Sequence, residues 1–442
     1  MRILLISTFF YPQNRIAVLR IGQWAKYWAF HGHEVTVLTT KKYPFLGPYG
    51  LSPSLPDNVE VVEVPFLPEW LRERLSRRPA GDGAAKTTGT SADHLKRRVR
   101  KLRGYIGSLI DIHDLWVSPA RRKGMELMAA RHYDVIVSSF SPPAVHMVAS
   151  RLKAAHPDTV WLADFRDLWT NNHVTSARGV LRWMENALEQ RTITHRADAI
   201  STVSAPLAED LRRRYPHIPV WVIENGFDPE EFPDWAARIS HSPGIDRTLR
   251  ICYAGTLYPG RRDPTPLFNA LNTMIDNGVL DRRQVAVDFY GQNEKELAVV
   301  LENCHGNRHG IVHAHGFVSR EESLAAQARS SLLLLLESSE PAARGVLTGK
   351  LFEYLVSGIP ILAVGIDSQN AAAGILQRTG TGAIAKTAEE ITTLLTRIIS
   401  TGQVDFYKPQ AERIAEYARD RQAQRMMTEL AQMKLLKEVQ TC

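Results

Sequence analysis

The chain has 442 residues, more than the roughly 100–200 of one folded core, so two domains are expected. Hydrophobic residues make up 44% and charged residues 23%, the balance of a soluble globular protein, which argues against a fibrous or disordered chain. The formal net charge of +7 suits anionic partners, whether nucleic acid, anionic lipid or phosphorylated substrates. Its three cysteines, Cys252, Cys304 and Cys442, are odd in number and far apart. They support neither a disulfide framework nor a zinc site and fit a reducing cytoplasm. No apolar run approaches the roughly 18 residues of a membrane-spanning helix, so the protein is expected to be cytoplasmic, either soluble or peripheral at the inner membrane face.

Arg2 to Ser7 reads as a first buried strand. The apolar run stops at Tyr11-Pro12 without a small-residue cleavage site, so it is not a signal segment. Gln13, Asn14 and Arg15 occupy the loop at this strand's carboxyl end, and a helix follows through Ile16, Leu19, Trp24 and Trp28 to His31. Glu34 to Thr39 is the second strand, completing a Rossmann-type βαβ unit. The loop lacks the GxGxxG fingerprint, which disfavours a dehydrogenase. Val59 to Val64 is a third strand. Much of the positive charge then lies between Arg72 and Arg103, around the segment GDGAAKTTGTSAD. This basic insertion, about residues 70–104, reads either as a solvated excursion or as a contact with an anionic membrane surface. With Tyr105 as its one nearby aromatic and no recognised module, it does not read as a nucleic-acid site.

Tyr133 to Ser139 is the next strand, and Ala144 to Ala155 is a helix carrying His146. Thr159 to Ala163 is a strand that delivers Asp164, Arg166 and Asp167 in the string DFRDLW. Two carboxylates and an arginine at a strand's carboxyl end fit a binding or catalytic site; a buried Asp–Arg structural pair fits the same string. A helix over Trp183 to Arg196 and strands over Ala197 to Ser204 and Val220 to Ile223 complete a first domain, residues 1–228. Residues 229–248, with Pro233, Pro243 and Gly244 and no periodicity, read as a linker.

The second domain, residues 249–405, opens with a strand over Leu249 to Leu257 containing Gly255 and Thr256. The loop after it carries Arg261 and Arg262, as cations for a ligand or as an exposed pair without one. Val285 to Tyr290 leads into Gly291, and Ile311 to His315 leads into Phe317 and Val318. His313 and His315 share one face of their strand with no third ligand near in sequence, so no metal is expected. Arg320 to Ala328 is a helix and Leu332 to Leu336 a strand buried on both faces. The loop from Glu337 to Gly349 then runs into a helix over Lys350 to Ser357, ended by Gly358 and Pro360, and Ile361 to Val364 is the following strand. A lysine at a helix start suits phosphate, and Glu353 one turn on can accept from sugar hydroxyls. A helical Lys350–Glu353 pair on an ordinary surface fits the same spacing. Phe406 to Lys437 has one long helical pattern, placed in C-terminal helices over residues 406–442.

The segment TGKLFEYLVSGIPIL resembles the donor-binding segment of GT-B glycosyltransferases, in particular glycosyltransferase family 4. HEVTVLT, DFRDLW and ENGFDP are similar to that family's first-domain strings. The resemblance implies an α/β protein with two Rossmann-like domains facing a cleft and a C-terminal helix crossing back to the first domain. It implies a retaining, metal-independent transfer from a nucleoside-diphosphate sugar, which is a substrate rather than a cofactor, to a saccharide or lipid-linked acceptor. The catalytic groups are then Lys350, Arg261, Arg262, Asp164 and Asp167. Donor contacts are expected from Gly255, Thr256, Tyr290, Gly291, Phe317, Val318, Glu340, Gly349, Leu351 and Glu353, and acceptor-side contacts from Gln13, Asn14, Arg15, His146 and Arg166. The chain departs from the family in three places: the first loop has Gln13, Asn14 and Arg15 instead of glycines, Leu257 stands where a diphosphate-binding arginine is usual, and Glu340 lies further from Glu353 than the usual Glu-x7-Glu. A GT-B sugar-nucleotide epimerase, or a non-enzymatic protein binding sugar nucleotides or nucleic acid, shares these features.

Overall fold

A computed structural model describes residues 1–43, 49–51, 55–76, 106–172, 177–240, 248–258, 261–304, 306–338 and 340–441. The chain divides into two compact units, one of Met1–Glu224 with Gln422–Cys442 and the other of Asn225–Arg421. Most of the basic insertion lies outside the described residues.

The first unit is built on strands β1 (Arg2–Ile6), β2 (Glu34–Thr40), β3 (Val59–Val64), β4 (Val135–Phe140), β5 (Val160–Phe165), β6 (Ala199–Thr202) and β7 (Val220–Val222). Their spatial order is β3-β2-β1-β4-β5-β6-β7, with every neighbouring pair parallel. Helices α1 (Ile16–Phe30), α2 (Glu69–Ser76), α3 (Asp114–Ala130), α4 (Ala144–Ala155), α5 (Val180–Ile193) and α6 (Ala205–Arg214) connect them. Period-2 alternation explains why β1 is apolar throughout: Ile3 and Leu5 enter the core on one face of the sheet, Leu4 and Ile6 the core on the other.

The second unit repeats the plan with a short helix α7 (Trp235–Ile239) and strands β8 (Leu249–Ala254), β9 (Val285–Tyr290), β10 (Val312–Gly316), β11 (Leu332–Leu336), β12 (Ile361–Val364) and β13 (Gly382–Ala385). Their order is β10-β9-β8-β11-β12-β13, again all parallel. Its other helices are α8 (Thr265–Asp276), α9 (Glu294–Cys304), α10 (Arg320–Ala328), α11 (Gly349–Leu355), α12 (Ala371–Thr379), α13 (Ala388–Thr401) and α14 (Ala411–Ala415), and α15 (Arg419–Thr441) closes the chain. The five leucines of β11 divide in the same way, Leu332, Leu334 and Leu336 to one core and Leu333 and Leu335 to the other. Both sheets therefore have a point where the strand order reverses, between β1 and β4 and between β8 and β11. Open α/β sheets bind ligands outside the carboxyl ends of their strands at such a point.

Several elements differ from expectation. The described part of the supposed linker is packed: Phe232, and Ile239 at the end of α7, join the core of the second unit. Helix α3 was not anticipated, although Trp116, Ala120 and Leu127 recur on one buried face. The single long C-terminal helix is two, because the backbone at Tyr417 and Ala418 leaves the helix to pair with Phe227. Phe227 N–H donates to the Tyr417 carbonyl at 3.1 Å, and Arg419 N–H donates to the Phe227 carbonyl at 2.9 Å. Beyond that break, Ala423, Met426, Met427 and Leu430 of α15 join Trp24 and Trp28 in the core of the first unit. Among the described residues no helix is long and apolar enough to cross a membrane.

Candidate functional site

At the reversal point of the second sheet, β8 ends in Gly255, whose φ of +141° lies where side chains are strained. A Cβ there would also sit 2.3 Å from Lys350 Nζ, so the ammonium would have to move. Gly291 at the end of β9 has φ +121°, and a Cβ on it would meet the Gly255 carbonyl at 2.6 Å. Asn293, buried, clamps these turns together. Its Nδ2 donates to the Gly255 carbonyl at 2.5 Å and its Oδ1 accepts from Leu257 N–H at 2.6 Å. The signal for Asn293 in the sequence is an asparagine two residues after a strand-end glycine.

Lys350, in the first turn of α11, reaches into this niche. Its ammonium lies 4.0 Å from the centre of the Tyr253 ring, is buried, and has no hydrogen-bond partner among the described residues. Burial, with the nearby Arg262 charge adding to it, pushes the Lys350 ammonium down to about 7. The same α11 holds the strand end through Tyr354, whose hydroxyl accepts from Ala254 N–H at 3.1 Å. Of the two candidate arginines, Arg262 is the one that acts electrostatically on Lys350, Glu337 and Tyr253. Its Nη1 donates to the Thr256 carbonyl at 3.0 Å, and its guanidinium lies over Tyr258. Arg261 is half-buried, with its N–H on the Tyr258 carbonyl. Glu337, at the end of β11, is buried and accepts from Thr348 Oγ1 at 2.8 Å. Burial pushes its carboxyl up, while Arg262, Thr348 and Lys350 act against it. Thr348 therefore spends its hydroxyl on Glu337 and makes no side-chain cap on α11.

Of the amides in the loop before α11, Val346 N–H is already committed, donating to the Ala343 carbonyl at 2.9 Å. A Cβ on Gly349 would meet nothing within 4 Å, so the approach to the helix start is open. Leu351 is corrected as a donor contact: its side chain is fully buried in the core and its N–H donates to the Thr348 carbonyl. Glu340 is exposed at the start of the turn Pro341–Ala343. Glu353 pairs with Arg320, not with Lys350. Tyr290 stacks on His315 at 4.4 Å between ring centres, and His315 Nε2 lies 2.8 Å from Asp288 Oδ1. Phe317, at the end of β10, is 79% exposed, and Val318 beside it is half-buried. Among the described residues no group of three or more His, Cys, Asp or Glu side chains is placed to hold a metal ion.

The residues expected on the acceptor side lie in the first unit and divide into two sets. Asp164 is fully buried and saturated: Arg20 donates through Nη2 at 2.9 Å and Nε at 3.2 Å, Ser139 Oγ at 2.6 Å and Ser201 Oγ at 2.8 Å. With every lone-pair direction filled it cannot take a substrate proton, so its catalytic assignment is corrected to a structural one. The structural pair is thus Asp164 with Arg20 of α1, not with Arg166. His146 is likewise corrected. It is fully buried among Phe140, Phe165, Trp161 and Trp169, its Nδ1 lies 2.8 Å from Ser138 Oγ, and burial pushes it down to about 3. Arg166 and Asp167 remain half-buried at the carboxyl edge of the sheet, with Arg166 Nε donating to the Phe140 carbonyl at 2.5 Å. Gln13 is buried against a bridge to Tyr49, Asn14 is exposed, and the exposed Arg15 places its guanidinium 4.9 Å from the centre of the Phe9 ring.

Residues 84–231 match the family model described as Glycosyltransferase Family 4. No curated protein matches the chain. Solved structures resemble it over nearly its whole length. Sucrose-phosphate synthase from Thermosynechococcus elongatus is 15% identical with a TM-score of 0.57, covering 98% of each chain. The apo lipopolysaccharide outer core galactosyltransferase WaaB is 12% identical with a TM-score of 0.57, covering 99% of this chain and 100% of its own. A trehalose-6-phosphate structure from E. coli bound with UDP-2-fluoro glucose is 11% identical with a TM-score of 0.61, covering 97% of this chain and 99% of its own. The two parallel, doubly wound sheets, the match over residues 84–231 and these likenesses place the chain among proteins of GT-B fold that resemble glycosyltransferase family 4.

Proposed function

We propose that this protein is a glycosyltransferase that moves a sugar from a nucleoside-diphosphate sugar to a saccharide or lipid-linked acceptor, with retention of anomeric configuration and without a metal ion. The observation that carries this reading is the buried Lys350 ammonium at the reversal point of the second sheet, which has no hydrogen-bond partner among the described residues and lies against Gly255, whose positive φ disfavours a side chain. A buried cation without a partner is costly, and a diphosphate would supply the missing acceptors. The match to the family model and the UDP-sugar in the E. coli structure support the same donor class.

As the bond from the anomeric carbon to the donor phosphate breaks, about one negative charge gathers on the leaving diphosphate. Lys350 and Arg262 supply two positive charges there, which is the place for side chains to stabilise that change. The acceptor oxygen bonds to the anomeric carbon on the same face, and its proton passes to the departing phosphate oxygen. Glu353 accepts from the donor's ribose hydroxyls. Phe317, exposed beside Tyr290's strand end, is the wall for the base.

The test is a thermal-shift screen against nucleoside diphosphates. A ligand at 100 times its dissociation constant adds about 2.7 kcal/mol to stability. Lys350→Ala should weaken that ligand at least tenfold, and Lys350→Ala and Glu353→Ala should each cut turnover at least tenfold while the protein stays folded. Full binding and full turnover in both variants would show that the donor site is elsewhere.

A further inference from the structure

Glu353 does not stand alone on α11. Arg320 reaches it from α10, placing Nη1 3.2 Å from Glu353 Oε1, and the same guanidinium puts Nε 2.5 Å from Oε1 of Glu231. One arginine thus bridges two carboxylates from three separate stretches of the second unit. Glu353 is only 28% exposed and Arg320 50%, so the Glu353 carboxylate has lost most of its water, and Arg320 is its ion-pair partner. Lys350 serves elsewhere. The origin of Arg320 matters as much as its partner. It is the first residue of α10, which is fixed by a capping box between Ser319 and Glu322. It follows by three residues the exposed Phe317 at the end of β10. The loop that carries Phe317 and the carboxylate on α11 are therefore tied through a single side chain.

We infer that Arg320 is a positioning residue for ribose recognition: held on one side by Glu231, it aims the Glu353 carboxylate and couples it to the loop bearing Phe317, so that the site selects nucleotides with free ribose hydroxyls. This rests on the reading of Glu353 as the ribose contact. A fork that engages one carboxylate through Nε and another through Nη1 has defined geometry, and lysine, a point charge on a flexible stem, cannot reproduce both contacts. The second oxygen of Glu353, which accepts no hydrogen bond among the described residues, is then turned to a definite direction, as recognition of vicinal hydroxyls needs.

The experiment compares dissociation constants of UDP and GDP with those of their 2′,3′-dideoxy forms, with inorganic pyrophosphate as a measure of the phosphate site alone. The wild-type protein should prefer the ribose form of its diphosphate at least tenfold. Glu353→Gln should bring that ratio to about threefold or less, and Arg320→Met should do the same while pyrophosphate affinity stays within twofold. The double variant should lose nothing further, because both changes remove one interaction, and Arg320→Lys should recover only part of the ratio. A full ribose preference in Arg320→Met with its loss in Glu353→Gln overturns the role of Arg320 and leaves the donor reading intact. A full preference in Glu353→Gln overturns Glu353 as the ribose contact and this inference with it, and no binding of either ribose diphosphate overturns the donor reading as well. A parallel loss of pyrophosphate affinity in Arg320→Met would show a structural effect in place of a positioning one.

Discussion

Lys350 carries the donor reading because of what surrounds it. Arg262 adds positive potential, Glu337 and Glu353 subtract some of it, and the Tyr253 ring face offers a cation–π contact in place of hydrogen bonds. With its ammonium pushed down to about 7, Lys350 is partly neutral around neutral pH before a ligand binds. An arriving diphosphate favours the charged form, so binding should take up a proton wherever free Lys350 is neutral. For a sugar nucleotide, whose phosphates do not titrate in this range, the uptake should be larger near pH 8 than near pH 6. Affinity should therefore weaken as pH rises above about 7. Titration calorimetry in buffers of different ionisation enthalpy reads this uptake, and Lys350→Met should abolish it. A pH-independent binding constant in the wild-type protein would mean that the ammonium is already charged in the empty site.

At the level of elements, the parts of the chain that were legible are those whose identity depends on their own residues. β11 and β12 were bounded correctly at Leu332–Leu336 and Ile361–Val364, as were β9 at Val285–Tyr290 and α10 at Arg320–Ala328. Unbroken apolar runs between turn residues, as in β11 and β12, read as strands covered on both faces, and although a buried helix turn fits so short a run as well, the strand is what forms. What escaped was whatever distant partners decide. Asp164 reads as a reactive carboxylate until Arg20, 144 residues away, is seen to saturate it. Arg320 had no visible role because its two carboxylates lie 89 and 33 residues away. The break between α14 and α15 belongs to the same class, since local propensity continues the helix and the pairing with Phe227 interrupts it. That pairing depends on Gly226: a Cβ there would lie 2.0 Å from the Tyr417 carbonyl oxygen. Gly226→Ala must displace backbone and should cost about 1–3 kcal/mol by denaturant unfolding. Gly374, in α12 with nothing within 4 Å of a Cβ, provides the contrast. Gly374→Ala should stabilise by up to about 1 kcal/mol. Equal effects of the two substitutions would refute the steric account of the break.

For the molecule as a whole, the order of the chain and the order of its units do not coincide. The second unit is contained between Asn225 and Arg421, whereas the first takes in Gln422–Cys442 from the far side of it. The completion is substantial. Trp28 Nε1 donates to the Ala423 carbonyl at 3.0 Å, Met426 and Leu430 are fully buried against the Trp24–Trp28 stack, and Lys434 and Lys437 pair with Asp134 and Asp198. Truncating such side chains removes buried apolar area and leaves a cavity, at about 2–5 kcal/mol for Met or Leu to Ala. The site built around Lys350 lies within the other unit, and Met426 and Leu430 lie beyond Arg419, the α15 residue whose charge acts on Glu353. Met426→Ala and Leu430→Ala should therefore each lower the thermal midpoint by at least about 4 °C. Nucleoside-diphosphate affinity at 25 °C should stay within twofold, as measured on the folded variants. If affinity falls in step with stability, α15 is shaping the donor site, and the division of labour between the two units does not hold.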